Sequence, residues 1–309
     1  SLALRIYTTP YPTTNRVYTL MHDAQYRQAI CWQMCGYNQP PHTGFYLGSD
    51  FPKPIPAKST NGKLIFKGST GNWDTSSANF MDGDDASGLI AGTSPAVTFT
   101  NGNSVMLDER SGVKNINLNE NLQPELLMVS GNDDYTISGN GVLSGTMILD
   151  KLGEANLTIS GNHTYTGKTD IWEGNLFFNG NLTASPVTVR RHAGFGGKLT
   201  VGTQITTEYN ASVYPGGMAT ADTMKIAGNI SLVNGARLVV DLSDNPTIPA
   251  KQAVRSTKKN DYLQVDGTAQ LAAGSIVVIN EIADSISEGK YLIMKVNSLT
   301  GNPADMKIQ

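Results

Sequence analysis

Residues 156 to 181, NLTISGNHTYTGKTDIWEGNLFFNGN, alternate apolar with polar side chains: Leu157 and Ile159, then Ile171, then Leu176 and Phe178. A period of two places such residues on one buried face of a strand. Asn and Gly interrupt the runs at Gly161-Asn162, Gly174-Asn175 and Asn179-Gly180, and breaks this closely spaced predict tight turns. A single strand of this kind has nothing to cover its apolar face, whereas stacked copies cover one another. The middle and end of the chain are therefore expected to form an extended β-solenoid.

A second stretch repeats in the same manner. MKIAGNISLVNGARLVV, residues 224 to 240, aligns without gaps on LQVDGTAQLAAGSIVVI, residues 263 to 279. Met224 falls on Leu263, Ile226 on Val265, Gly228 on Gly267, Leu232 on Leu271 and Gly235 on Gly274. Apolar and glycine positions at identical offsets are what stacked rungs require. The insert between the copies, Ser243 to Asn260, is polar and carries Pro246 and Pro249, which predicts a surface loop. The closing GKYLIMKVNSLTG alternates again, with Leu292, Met294 and Val296 expected to face inward.

Composition agrees with an all-β repeat and excludes several functions. Charged residues are 16% of the chain, below the ~25% of an ordinary soluble domain. A net charge of −3 argues against a nucleic-acid partner, which needs a basic face. No apolar run reaches the ~18 residues of a transmembrane helix.

Residues 2 to 50 have a different character, rich in aromatics and holding Arg5, Arg16, His22, Arg27 and His42. Apolar clusters around Leu4 and Ile6, Val17 and Leu20, and Ile30 and Trp32 predict three strands. Gln39-Pro40-Pro41-His42 is excluded from helix and central strand, because two prolines remove two backbone donors. It reads as a rigid rim loop. Pro52, Pro54 and Pro56 make residues 51 to 60 a semi-rigid linker between residues 1 to 50 and 61 to 309. Cys31 and Cys35, four apart, would sit about 13 Å from each other along a strand, too far for a disulfide. They read as buried free thiols.

The string VYTLMHDAQYRQAICWQMCGYNQPPHTGFYLG, residues 17 to 48, resembles the C-terminal end of the β-propeller rhamnogalacturonan lyases. The resemblance implies that the first 50 residues are part of a propeller's last blade. The remaining blades and any secretion signal are expected before SLALRIYTTPYP, which reads as the interior of a domain. From Asn61 onward the chain is similar to the passenger-associated strand repeat of bacterial autotransporters. The Asn-x-Tyr-Thr-Gly-x-Thr core of that repeat corresponds to Asn162, Tyr165, Thr166, Gly167 and Thr169, and Phe80 stands where the family usually has Trp. The expected fold is thus all-β: a partial propeller blade, then a right-handed parallel β-helix-like solenoid.

The lyase resemblance implies β-elimination on the pectic polysaccharide rhamnogalacturonan I of the plant cell wall, in a secreted bacterial protein. It also implies calcium as the cation that acidifies the proton beside the uronate carboxylate. Asp23 and Asp50 are the only carboxylates in residues 1 to 50, so the calcium ligands are expected upstream and this chain alone is expected to be inactive. No catalytic or metal-binding set is assigned. Tyr37, Asn38 and His42, on the rigid proline loop, are the candidate substrate-binding residues, against the plainer reading that they satisfy and pack the turn. His22 and Arg27 read as ties within the blade. Asp82-Gly83-Asp84-Asp85 and Asp133-Asp134 lack the ligand spacing of a calcium loop and read as solvated turns. His163 reads as structural. Two rival readings remain for the solenoid: a non-enzymatic surface adhesin or structural passenger, and a carbohydrate-binding accessory module. The second predicts an exposed aromatic row, for which Trp73, Trp172 and Tyr214 are too scattered in sequence.

Overall fold

The computed structural model describes residues 61–83, 94–243, 260–283 and 290–309. The expected blade of residues 1 to 50 with Tyr37, Asn38 and His42, the two cysteines and the linker 51 to 60 lie outside these residues. Among the described residues the regular structure is β-strand apart from one 3-10 turn at Pro303–Asp305, so the fold is all-β.

The alternation that opens the sequence does what its period requires. Leu157 and Ile159 of the strand Asn156–His163, and Leu176 and Phe178 of Asn175–Leu182, are fully buried. The two strands run parallel with every residue paired, from Asn156 opposite Asn175 to His163 opposite Leu182, nineteen residues on. Side chains of like character therefore stack directly, and each rung covers the apolar face of the one before it.

One circuit of the chain visits three such columns. Leu157, Leu176, Phe195, Val213, Leu238 and Val277 stack in the first. The second holds His163, Leu182, Val201, Ile226, Val265 and Val296. Leu149, Thr169, Val187, Ile205, Ile230 and Ala269 make the third. The apolar residues of all three columns share one core. The step between residues paired in parallel varies from eighteen, at Thr169 opposite Val187, to forty-five, at Asn72 opposite Asn117. Extra length is absorbed at the corners, and the ladder keeps its register.

The gap-free alignment of 224–240 on 263–279 is itself the strand pairing. Met224 lies opposite Leu263, Leu232 opposite Leu271 and Val240 opposite Ile279. The Gly267 N–H donates to the Gly228 carbonyl at 3.1 Å, and the Gly235 N–H to the Gly274 carbonyl at 3.0 Å. Of the insert, residues 244–259 lie outside the described residues.

Three local expectations are corrected. Gly161-Asn162 and Asn179-Gly180 are not turns but lie within continuous strands. Gly161 and Gly180, paired with each other, bend those strands from the first column into the second at φ 118° and 143°. At the closing strand, Met294 and Val296 pack on the core together with Tyr291 and Ile293. Leu292, half-buried, is not packed on the core with them; its carbonyl accepts the Asn260 side-chain N–H at 3.0 Å.

Of the residues that carry the repeat resemblance, Asn162 and Thr166 are exposed, whereas Tyr165 and Thr169 are buried. Tyr165 is buried, its hydroxyl 2.8 Å from Thr169 Oγ1, which lies 2.9 Å from Ser185 Oγ. A Cβ on Gly167 would fall 2.1 Å from the Met147 carbonyl oxygen. The motif is thus a hydrogen-bonded plug and a close-packed bend.

The two ends of the ladder differ. Lys63–Phe66 pairs parallel with Ser104–Leu107 on one edge and antiparallel with Phe80–Asp82 on the other. Phe80–Asp82 in turn pairs with Ala96–Val97. Phe66, Trp73, Phe80 and Phe99 close that end of the core, with ring centroids 5.3 to 6.2 Å apart. Phe80 fills the place expected for Trp by packing edge-on against Trp73. At the far end Met294–Thr300 pairs with Tyr262–Leu271 on its inner edge.

A Cβ on Gly180 would lie 1.9 Å from the Gly161 carbonyl oxygen, at a φ that L-residues rarely adopt. Gly180→Ala is expected to destabilise the ladder by about 2–4 kcal/mol in denaturant unfolding. Gly112→Ala, where a Cβ meets nothing within 4 Å, should be nearly silent. Tyr165→Phe takes one of the two buried hydroxyl partners from Thr169 and should cost about 1–2 kcal/mol in the same assay.

Candidate functional site

Three of the polar or aromatic clusters among the described residues bear on function. The first lies on the outward side of the third column. Asp150 and Asp170 are paired on adjacent rungs, about 5 Å apart along the ladder, and both are buried. Lys168 Nζ donates to Asp170 Oδ2 at 2.5 Å and Arg190 Nη2 to Asp170 Oδ1 at 3.0 Å. Arg190 also reaches Glu208 Oε1 at 2.8 Å and stacks its guanidinium on the Trp172 ring, 4.4 Å from the centroid. Asp150 Oδ1 is left without a hydrogen-bond partner. Burial, and then the neighbouring Asp170 carboxylate, push the Asp150 pKa up to about 6, against the opposing pull of Lys168, Trp172 and Arg190.

Two adjacent buried carboxylates, one with its pKa raised, are the raw material of an acid–base couple. Their accessibility does not match. Asp170 is 0% exposed and both of its oxygens are taken by cations, so no substrate atom can approach it. The cluster ties three rungs together.

The second cluster sits where the chain leaves the ladder after Leu242. Asp261 accepts the backbone N–H of Asp222 at Oδ1 and that of Asp241 at Oδ2, each at 2.9 Å. Asp241 accepts from the Thr220 N–H at 2.9 Å and from the Asn280 side chain at 3.1 Å. Burial raises the Asp261 pKa to about 8. These carboxylates anchor a corner, and among the described residues no group of three or more His, Cys, Asp or Glu side chains is arranged to hold a metal ion.

The third cluster is aromatic. Phe177 points outward between the inward Leu176 and Phe178 and is half-buried. In the outward column Phe177 pairs with Gly196, and Gly196 with Tyr214, so the rings stand two rungs apart with a glycine between them. They meet across it with centroids 6.0 Å apart and planes at 62°. Of the three aromatics weighed from sequence, Trp73 and Trp172 are buried and Tyr214 alone is half-exposed. The partner that alternation could have supplied is Phe177, the middle of three successive apolar residues and hence the one facing away from the core.

The remaining candidates resolve into structural ties. Asp133 pairs with Lys114 at 3.0 Å, and Asp134 accepts the Asn156 N–H at 2.8 Å. Asp84 and Asp85 lie outside the described residues. His163 fills the second column, fully buried: Nδ1 accepts the Leu143 N–H at 3.0 Å, Nε2 lies 3.3 Å from the Ser160 carbonyl, and burial lowers its pKa.

Against known proteins, residues 1–57 match the family described as "Rhamnogalacturonan lyase family 11, C-terminal domain". They are similar to a lyase's tail. The chain is 61% identical over 57 residues to rhamnogalacturonan endolyase YesW of Bacillus subtilis (strain 168), covering 18% of this chain and 9% of that protein. It is also 61% identical over 54 residues to rhamnogalacturonan exolyase YesX of the same organism, again 18% of this chain and 9% of the relative. The chain thus matches less than a tenth of the length of these curated relatives. The family match ends at Ala57, within the proline-rich stretch and before the first described strand at Lys63–Phe66.

The raised pKa of Asp150 has a testable consequence. The native state holds this proton more tightly than an unfolded aspartate of pKa ~3.9. Its contribution to stability is therefore fullest below about pH 4, falls as pH rises to about 6 and is level above. Asp150→Asn removes that dependence. The variant should exceed the parent by about 1–3 kcal/mol at pH 7, with the difference shrinking toward pH 4 in paired thermal or denaturant titrations.

Proposed function

We propose that this chain is the C-terminal part of a secreted bacterial polysaccharide lyase acting on rhamnogalacturonan I, carrying a β-solenoid of autotransporter-type strand repeats as an accessory or display region. The observation that carries the reading is the 61% identity over 57 residues to two rhamnogalacturonan lyases, one named an endolyase and the other an exolyase. In this reading residues 1–50 belong to a propeller whose catalytic blades precede Ser1, residues 51–60 are the linker, and residues 61–309 form the solenoid.

The reaction is β-elimination. A base takes the proton beside the galacturonate carboxylate, the bond to the departing sugar oxygen breaks, and a carbon–carbon double bond forms in the uronate. Tyr37, Asn38 and His42 would serve as rim contacts to the sugar, with Tyr37 stacking and Asn38 bonding hydroxyls. Calcium, which the resemblance implies for the parent, has no ligand set among the described residues. In this reading its site lies with the catalytic blades.

A surface adhesin or structural passenger accounts equally well for a ladder whose buried acids are tied into the fold, but it gives no reason for the lyase-like residues 1–57. The two readings part in one assay. A protein extended upstream of Ser1 should release unsaturated uronate from rhamnogalacturonan I, seen as new ultraviolet absorbance. Tyr37→Ala and His42→Ala in that protein should slow it, and residues 1–309 alone should release none. Product release by the 309-residue chain, or an inactive extended protein, would overturn the proposal.

A further inference from the structure

The outward face of the first column holds an arrangement that the fold does not require. A Cβ on Gly194 would lie 2.7 Å from Tyr214 Cε2, and one on Gly196 would lie 2.6 Å from Tyr214 Cβ. The tyrosine ring therefore runs back along the neighbouring strand, over two positions kept bare of side chains. Tyr214 is half-buried there, neither sealed in the core nor fully in solvent. Phe177, at 62° to it, rises beside this floor as a wall. Covering the two glycines explains the position of Tyr214, but it leaves a half-exposed Phe177 at an outward position unexplained, since a polar residue there would cost the core nothing.

Polar groups complete the arrangement. Asn175 Oδ1 would be 2.1 Å from a Cβ on Gly194, which sets it at the edge of the tyrosine ring. Its Nδ2 is fixed by donating to Asn156 Oδ1 at 2.9 Å, so the carbonyl oxygen is oriented as an acceptor. The Tyr214 hydroxyl makes no hydrogen bond among the described residues. A flat apolar floor, an upright apolar wall and two polar groups at the rim match a pyranose ring, which offers a face of C–H groups and a girdle of hydroxyls.

We propose that Tyr214 and Phe177 form a stacking subsite for one pyranose unit of a polysaccharide, with Asn175 Oδ1 and the Tyr214 hydroxyl as its polar contacts, and that the unit belongs to rhamnogalacturonan I. The stacking geometry stands on the residues alone; the pectic ligand rests on the reading given under Proposed function. The 6-deoxy methyl of rhamnose adds apolar surface where Phe177 rises, which favours a rhamnose over a galacturonate in this place.

The test is affinity electrophoresis of the 309-residue chain through gels containing rhamnogalacturonan I, polygalacturonate or dextran. Rhamnogalacturonan I should retard the parent most. Phe177→Ser, which leaves Tyr214 over its glycines and should keep the parent's unfolding midpoint, should bind about tenfold more weakly. Tyr214→Ser should behave likewise, while Tyr209→Ser, an exposed aromatic on a different corner, should match the parent. Equal retardation of the parent and Phe177→Ser in every gel, or no retardation of the parent in any, overturns the subsite. Retardation that needs Phe177 in dextran but is absent in rhamnogalacturonan I upholds the subsite and overturns its pectic assignment, separating the two claims.

Discussion

Every feature of the described chain depends on the register of a parallel ladder. A strand that buries alternate residues gains nothing unless a second strand covers them. Here the cover is the next circuit of the same chain, hydrogen-bonded residue for residue. Nineteen residues separate Leu157 from Leu176, and the same step relates Ser160 to Asn179, so apolar residues stack inside and polar ones outside. A slip of one residue would turn the whole set over. The register is held by the backbone ladder and by glycines at close approaches, of which Gly161 against Gly180 is the tightest in this pair of rungs.

That constraint also decides which polar residues the interior accepts. Lys151, two residues along the strand from Leu149 of the third column, lies opposite Ile171, and its amine donates to the carbonyls of Leu152, Gly153 and Glu173 at 2.7 to 3.1 Å. His163 stands above Leu182 as a neutral ring, and Tyr165 reaches Thr169 and Ser185. Each has partners for its polar atoms where the chain bends and backbone groups come free. Asp150 differs: like Trp73 Nε1 and Asn260 Oδ1, its Oδ1 is buried without a partner, and the charge it carries at neutral pH works against the fold.

Much of this ladder was legible in the sequence because its two signals are local. Alternation identified Leu157, Ile159, Leu176 and Phe178 as core, and the copy at 263–279 of residues 224–240 gave the pairing register directly. The Asn-Gly pairs misled because a glycine that bends a strand and a glycine that ends one look alike in a single chain. Asp150 with Asp170, Asp241 with Asp261, and Phe177 with Tyr214 were hidden for another reason. Their partners come from different rungs, and rung lengths that vary from eighteen to forty-five residues erase any fixed spacing between them. The lyase-like residues were read from an unusual string of side chains, not from periodicity.

The unlike ends of the ladder give it a direction. Where Lys63–Phe66 meets the antiparallel strand Phe80–Asp82, four aromatic rings and a reversed strand occupy the edge, and no further parallel circuit can be laid there. Among the described residues the outer edge of Met294–Thr300 has no such stopper. Lengthening by duplication of a rung is therefore polar, open at the Met294–Thr300 edge. A tandem copy added there would leave the aromatic end at Phe66, Trp73, Phe80 and Phe99 untouched.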